Sequence, residues 1–231
     1  LRGAGVDVSA VVPRAHPTRR ARLVYGDDGQ RESGHYREPG WHEATRALAP
    51  PLLPDRVHPS AVVVTAMSLD DLERQVAWAR ARGVKVVVDT SEVFAATDPA
   101  RLLALLPNID LFAPSREETR CMCPGLDDDS ALTALAARCP RVVQKRGAEG
   151  LVFAAAARSA PLHLPALTAA VVDPTGAGDA CVGALAVGLL RGLADPALLQ
   201  LGLETAARTV AAIGPAGLGL GSPATAPKGA P

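Results

Sequence analysis

From Ala61 onward the sequence alternates between two textures. Short runs rich in valine and other apolar residues, "AVVVT" at 61–65, "VKVVVD" at 84–89 and "IDLFAP" at 109–114, are separated by segments with helical punctuation. Apolar β-branched runs without polar alternation read as buried strands of a parallel sheet. "SLDDLERQVAWARARG" opens on Ser68 as N-cap, carries Asp70 and Asp71 in its first turn and stops at Gly83. "DPARLLALLP", "SREETRCM", "DDSALTALAARC" and "DPALLQLGLETAARTVAAIG" read as further helices, and "RVVQKRGAEGLVFAA" as strand, glycine turn, strand. Strands alternating with helices over such a length imply an α/β fold, a mostly parallel sheet with helices on both faces.

The chain before Ala61 reads differently. Residues 21–36 suit a β-hairpin around Asp27, Asp28 and Gly29. Five prolines between 39 and 60 (Pro39, Pro50, Pro51, Pro54 and Pro59) make that stretch mainly a connector, with room for a helix over 43–49. Beyond Gly214 the chain is glycine, proline and alanine with almost no charge, and is expected to be mobile. The expected division is a hairpin and connector over 1–57, an α/β core over 58–214 and a tail over 215–231.

Charge narrows the partner class. Lys and Arg total 24, as do Asp and Glu, and the pI is about 7.1. That balance, with only 3% aromatic residues, argues against a nucleic-acid surface and for a small-molecule partner. No run of 18 apolar residues is free of Gly, Pro and charge, so no membrane span is expected. Cys121, Cys123, Cys139 and Cys181 form no C-x-x-C pair and read as reduced, cytoplasmic thiols. The five histidines show no metal spacing, and there is no G-x-S-x-G elbow.

The chemistry concentrates in "DPTGAGD", residues 173–179, just before a run of small apolar residues. Gly178 and Gly183 have the spacing of a Walker A loop, but Ala184 and Leu185 stand where Lys and Ser or Thr belong. Cys181 stands where a dinucleotide fingerprint needs a third small residue, which disfavours a dinucleotide-dependent oxidoreductase. What remains is a glycine turn opening onto a helix. Free N–H groups at Gly176, Ala177 and Gly178 would form an anion site. Asp179 in such a site is a poor phosphate ligand but a useful base for a hydroxyl that attacks the phosphate. A carboxylate that only complements the helix dipole is the competing explanation.

These residues resemble the C-terminal signature of the PfkB, or ribokinase-like, carbohydrate kinase family, and Asp173 to Asp179 follow it at every position. "GVDVSAVV" at 5–12, "VVVTAMSL" at 62–69, "ARARGVKVVVDTSE" at 79–92, "NIDLFAPSREET" at 108–119 and "VVQKRGAEGLVF" at 142–153 are similar to further family segments in the same order, so the likeness runs over about residues 1–217. The resemblance implies a ribokinase-like fold with a small β lid. It implies an ATP- and Mg²⁺-dependent transfer of the γ-phosphate to a hydroxyl of a small, sugar-like substrate. Asp179 would be the base, and Gly176, Ala177 and Gly178 the anion hole. Lys145, Gly147, Gly150 and Ser115 would face the nucleotide. Glu118 would hold water around Mg²⁺, and Asp173 and Thr175 match a monovalent-cation (K⁺) site of some relatives. The family has Asn where this chain has Ser115, which would weaken metal placement, and Ser115 to Glu118 is also a capping box that needs no function. Lys145 is equally readable as a solvated hairpin residue, and Asp89 as a loop cap or as an outer partner of the metal. The resemblance is compatible with a homodimer. Relatives begin with a further segment that grips the sugar, so the chain is expected to be poorly stable or inactive without one. A non-catalytic nucleotide- or sugar-binding remnant is the alternative.

Overall fold

The computed structural model describes residues 2–13, 21–26, 31–36, 51–158 and 160–220. The chain divides into two compact units, Leu1–Val57 and His58–Pro231. In the first, strands β1 (Ala21–Tyr25) and β2 (Arg31–Tyr36) pair antiparallel, with a register irregularity between Val24 and Tyr25. The turn at Asp27–Gly29 and the helix expected over 43–49 lie outside the described residues.

The second unit is built on a six-stranded sheet in the order β3 to β8: Ala61–Val64, Lys85–Val88, Leu111–Phe112, Val142–Lys145, Leu151–Ala154 and Leu162–Leu164. The first four strands run parallel, and β7 and β8 are antiparallel additions. Among the described residues seven α-helices accompany them: α1 (Leu69–Arg80), α2 (Glu92–Thr97), α3 (Pro99–Leu105), α4 (Arg116–Met122), α5 (Asp128–Ala136), α6 (Ala177–Leu190) and α7 (Asp195–Val210). The caps act as the sequence suggests. Ser68 Oγ accepts from Asp71 N, Gly83 takes a left-handed φ of 66° after α1, and Asp98 Oδ1 accepts from Arg101 N ahead of Pro99.

Strand alternation sorts the core into two layers. Val87, Leu111, Ala113, Val143 and Phe153 face Val182 and Leu185 of α6 and Leu199 and Leu203 of α7. Val86, Val88, Phe112 and Val142 alternate with them and point the other way, also fully buried. The sheet is thus covered on both faces, as the apolar runs require. Among the described residues, no helix is long and apolar enough to cross a membrane.

Several details differ from expectation. "AVVVT" is an edge strand: only Val64 is fully buried, and Val63 is 42% exposed. Helix α2 and strand β8 carry no periodic signal in the sequence. The chain beyond Ile213, expected to be mobile, begins with a 3-10 helix over Gly214–Leu218. Gly217 packs there so closely that a Cβ would stand 1.9 Å from Arg208 O.

Candidate functional site

Three strands and two helices bring the functional side chains to the carboxyl end of the parallel sheet, where open α/β folds receive ligands. Asp89 follows β4, Ser115 and Glu118 open α4 after β5, and Lys145 ends β6. The Gly176 turn leads into α6, which packs over the same sheet face.

Lys145 is not a solvated hairpin residue. Its side chain is 14% exposed, and Nζ donates to Asp89 Oδ2 at 2.5 Å. Asp89 Oδ1 also accepts from Thr90 N at 2.9 Å, so the loop cap and the ion pair coexist on one carboxylate. Burial pushes the Asp89 carboxyl above its usual range, against the pull of Lys145, and the nearby charge of Asp179 acts in the same direction as burial. Lys145 Nζ lies 3.8 Å from where a Cβ on Gly178 would stand, which places the ammonium beside the first turn of α6.

Ser115 and Glu118 form the full capping box. Ser115 Oγ accepts from Glu118 N at 3.1 Å, and Glu118 Oε2 accepts from Ser115 N at 2.7 Å. Serine fills this cap completely, so the local fold has no need of the family's Asn. Burial pushes Glu118 up to about 7, opposed by Lys145 and assisted by Asp89. Beneath the site Cys181 is buried, and its thiol is pushed up to about 11, which makes it a packing residue rather than a nucleophile.

The glycine turn corrects one expectation. Gly176 has φ 82°, and this left-handed turn aims Ala177 N back at Pro174 O, 3.3 Å away. Ala177 is therefore not a free donor. The N–H groups of Gly176, Gly178 and Asp179 have no acceptor among the described residues. The Asp179 side chain is exposed beside them. Asp173 is turned toward its own loop: Oδ1 accepts from Thr175 N at 2.9 Å, which holds its carboxyl below the usual range, with help from the Gly214 backbone.

Gly147 opens and Gly150 caps a 3-10 turn between β6 and β7. Gly150 has φ 97°, and a Cβ there would stand 2.1 Å from Leu164 O, so only glycine lets β8 approach. Arg116 clamps this turn through a bidentate pair with Glu149 at 2.7 and 2.5 Å, and also reaches Asp128 of α5. Sequence reasoning missed Arg116, because a charge after an N-cap looks like any solvated helix residue.

The donor set fits a phosphate chain. Free N–H groups stand at a helix N-terminus beside a partly buried ammonium that uses one of its three donors. Among the described residues, no three ligating side chains converge on one point. A Mg²⁺ ion would thus take most of its ligands from phosphate and water, with Glu118 and Asp89 the buried carboxylates at this edge, the usual arrangement for this ion.

A parallel sheet with its site at the carboxyl edge and a glycine turn capping the next helix defines an α/β protein of ribokinase-like fold. Residues 1–218 match the family described as pfkB family carbohydrate kinase, and the chain belongs to that family. Its fold is shared with the adenosine kinase of Sinorhizobium meliloti (TM-score 0.69, 22% identity, 86% of this chain and 62% of that one). The Burkholderia thailandensis nucleoside kinase in complex with inosine aligns similarly (0.68, 20%, 85% and 62%). So does a putative ribokinase II from E. coli in complex with ATP and Mg²⁺ (0.59, 24%, 68% and 54%). The chain thus spans less than two thirds of the length of these proteins.

Proposed function

We propose that this chain carries the phosphoryl-transfer end of an ATP-dependent kinase acting on a hydroxyl of a small sugar-like or nucleoside substrate. The observation that carries this reading is the exposed Asp179 carboxylate beside the unpaired N–H groups of Gly178 and Asp179, with the Lys145 ammonium close to Gly178. Asp179 is suited to take the proton of the acceptor hydroxyl. The free N–H groups and the dipole of α6 oppose the negative charge that builds on the transferred group. Lys145 and the backbone around Gly147 and Gly150 are suited to the nucleotide phosphates. Mg²⁺, when bound, supplies charge neutralisation of the phosphates, and Glu118 is suited to orient its water. Asp173 and Thr175 remain the candidates for a K⁺ site. A cytoplasmic location fits the four free thiols.

The test is an ATP-consumption assay with Mg²⁺ over a panel of sugars and nucleosides. Adenosine and inosine belong in it because two structural neighbours are named for nucleosides. Asp179→Asn is expected to abolish transfer while leaving ATP binding nearly intact. Unchanged turnover would remove Asp179 from the role of base. The complete capping box at Ser115 favours a second reading, a nucleotide-binding remnant, since that cap requires no catalysis. Nucleotide binding without turnover on any acceptor would select it.

A further inference from the structure

Asp89 and Lys145 pair although their strands are not neighbours. β5 lies between β4 and β6, so the ion pair spans a whole strand. Val87 pairs with Leu111, and Phe112 with Val142, which puts Ala113 in the row of Asp89 and on the strand between the two partners. A methyl group there leaves space for the lysine stem, and Ser115 bridges Lys145 directly at the next step. Asp89 is 7% exposed. Among the described residues Asp89 is the one group that pairs with this ammonium, so it fixes where Nζ stands. Among the described residues Nζ has no second hydrogen-bond or ion-pair partner, so two N–H groups remain for a ligand.

The geometry points to Asp89 as a positioning residue: it reaches across β5 to hold the Lys145 ammonium beside the N-terminus of α6, where the remaining N–H groups take a phosphate oxygen of the nucleotide. This rests on the nucleotide-binding reading above. A carboxylate that instead held the water of a divalent ion would act only when that ion is present. A carboxylate that merely neutralised the lysine would weaken phosphate binding, and its removal would tighten it.

The experiment measures ADP binding by calorimetry, with EDTA present so that no metal role contributes. The chain is compared with Asp89→Asn, Lys145→Met and the double variant, and thermal melting is recorded for each. Asp89→Asn is expected to weaken ADP binding roughly tenfold, about what one charged hydrogen bond supports. Lys145→Met is expected to lose at least as much, and adding Asp89→Asn to it to cost nothing further. Unchanged or tighter ADP binding in Asp89→Asn overturns the inference, even if its melting point falls, because that pattern is structural or electrostatic only. An equal loss with and without Lys145 also overturns it. If Asp89→Asn does not fold, Asp89→Glu is read instead. It keeps the pair but shifts the ammonium by one methylene, so a loss of about threefold supports the inference and wild-type affinity overturns it. Failure of the unsubstituted chain to bind ADP overturns the nucleotide reading itself, and this inference with it.

Discussion

Glu118 is the residue whose ionisation has the clearest consequence for stability. It is buried, and its folded value of about 7 stands above the ordinary 4.5. Between those two pH values the folded chain keeps a proton that the unfolded chain has released. The stabilisation is therefore complete below about pH 4.5 and is lost as pH rises to about 7. Its ceiling is about 3 kcal/mol, with the opposing hydrogen bond from Ser115 N already counted in that value. Asp89 shifts in the same direction, also chiefly through burial. Thermal melting in EDTA should show stability falling across this window, and Glu118→Gln should flatten it. A wild-type curve that is flat there would mean that Glu118 ionises normally.

At the scale of elements, α6 and α7 form the layer that supports the site, and two glycines show how tightly they meet. Gly202 of α7 faces α6: a Cβ would stand 3.1 Å from Cys181 Sγ and 3.3 Å from Leu185 Cδ2. Both neighbours are fully buried and have little room to yield. Alanine gains up to about 1 kcal/mol of helix propensity, but overpacking costs about 1–3 kcal/mol. Gly202→Ala should therefore lower the melting temperature. Gly188 of α6 meets Leu198 and Leu193 at 3.4–3.5 Å, ordinary contact distances. Gly188→Ala should keep most of the propensity gain and raise the melting temperature. The pair is read by calorimetry, and equal shifts of the same sign would mean that packing at this interface does not discriminate the two positions.

Elements also show what a sequence can announce. Strands β3 to β7 and helices α1 and α3 to α7 have local causes, namely apolar runs, N-cap residues and glycine stops, and these are legible residue by residue. β8 is three residues between Pro161 and Pro165, defined only by its pairing with β7. α2 buries a single residue, Ala95, so no periodicity marks it. A run of valines looks the same at the edge of a sheet as at its centre, which is why β3 was expected to be buried. The glycine turn and Asp179 were visible because their chemistry is local. The partnership of Asp89 and Lys145 was not, because it depends on strand order across 56 positions.

For the molecule as a whole, the exposed side of β3 matters most. β3 ends the six-stranded sheet, and its Val63 side chain is 42% exposed. α6, which touches β3, exposes Val187 and Leu190 at 41% and 47%. Among the described residues no strand pairs with the outer edge of β3, and an uncharged edge beside apolar side chains is a template for association. Ala61–Val64 contains no charge, proline or glycine that would discourage such pairing. The isolated chain should therefore associate as its concentration rises, as seen by sedimentation velocity. Val63→Lys puts a charge on the exposed position without touching Val64, the one fully buried residue of the strand. It should reduce association while shifting the melting temperature little, since exposed substitutions stay within about 0.5 kcal/mol. If the chain sediments as a monomer at every concentration, the β3 edge is not a point of association. If Val63→Lys leaves association unchanged, the contact lies on another surface.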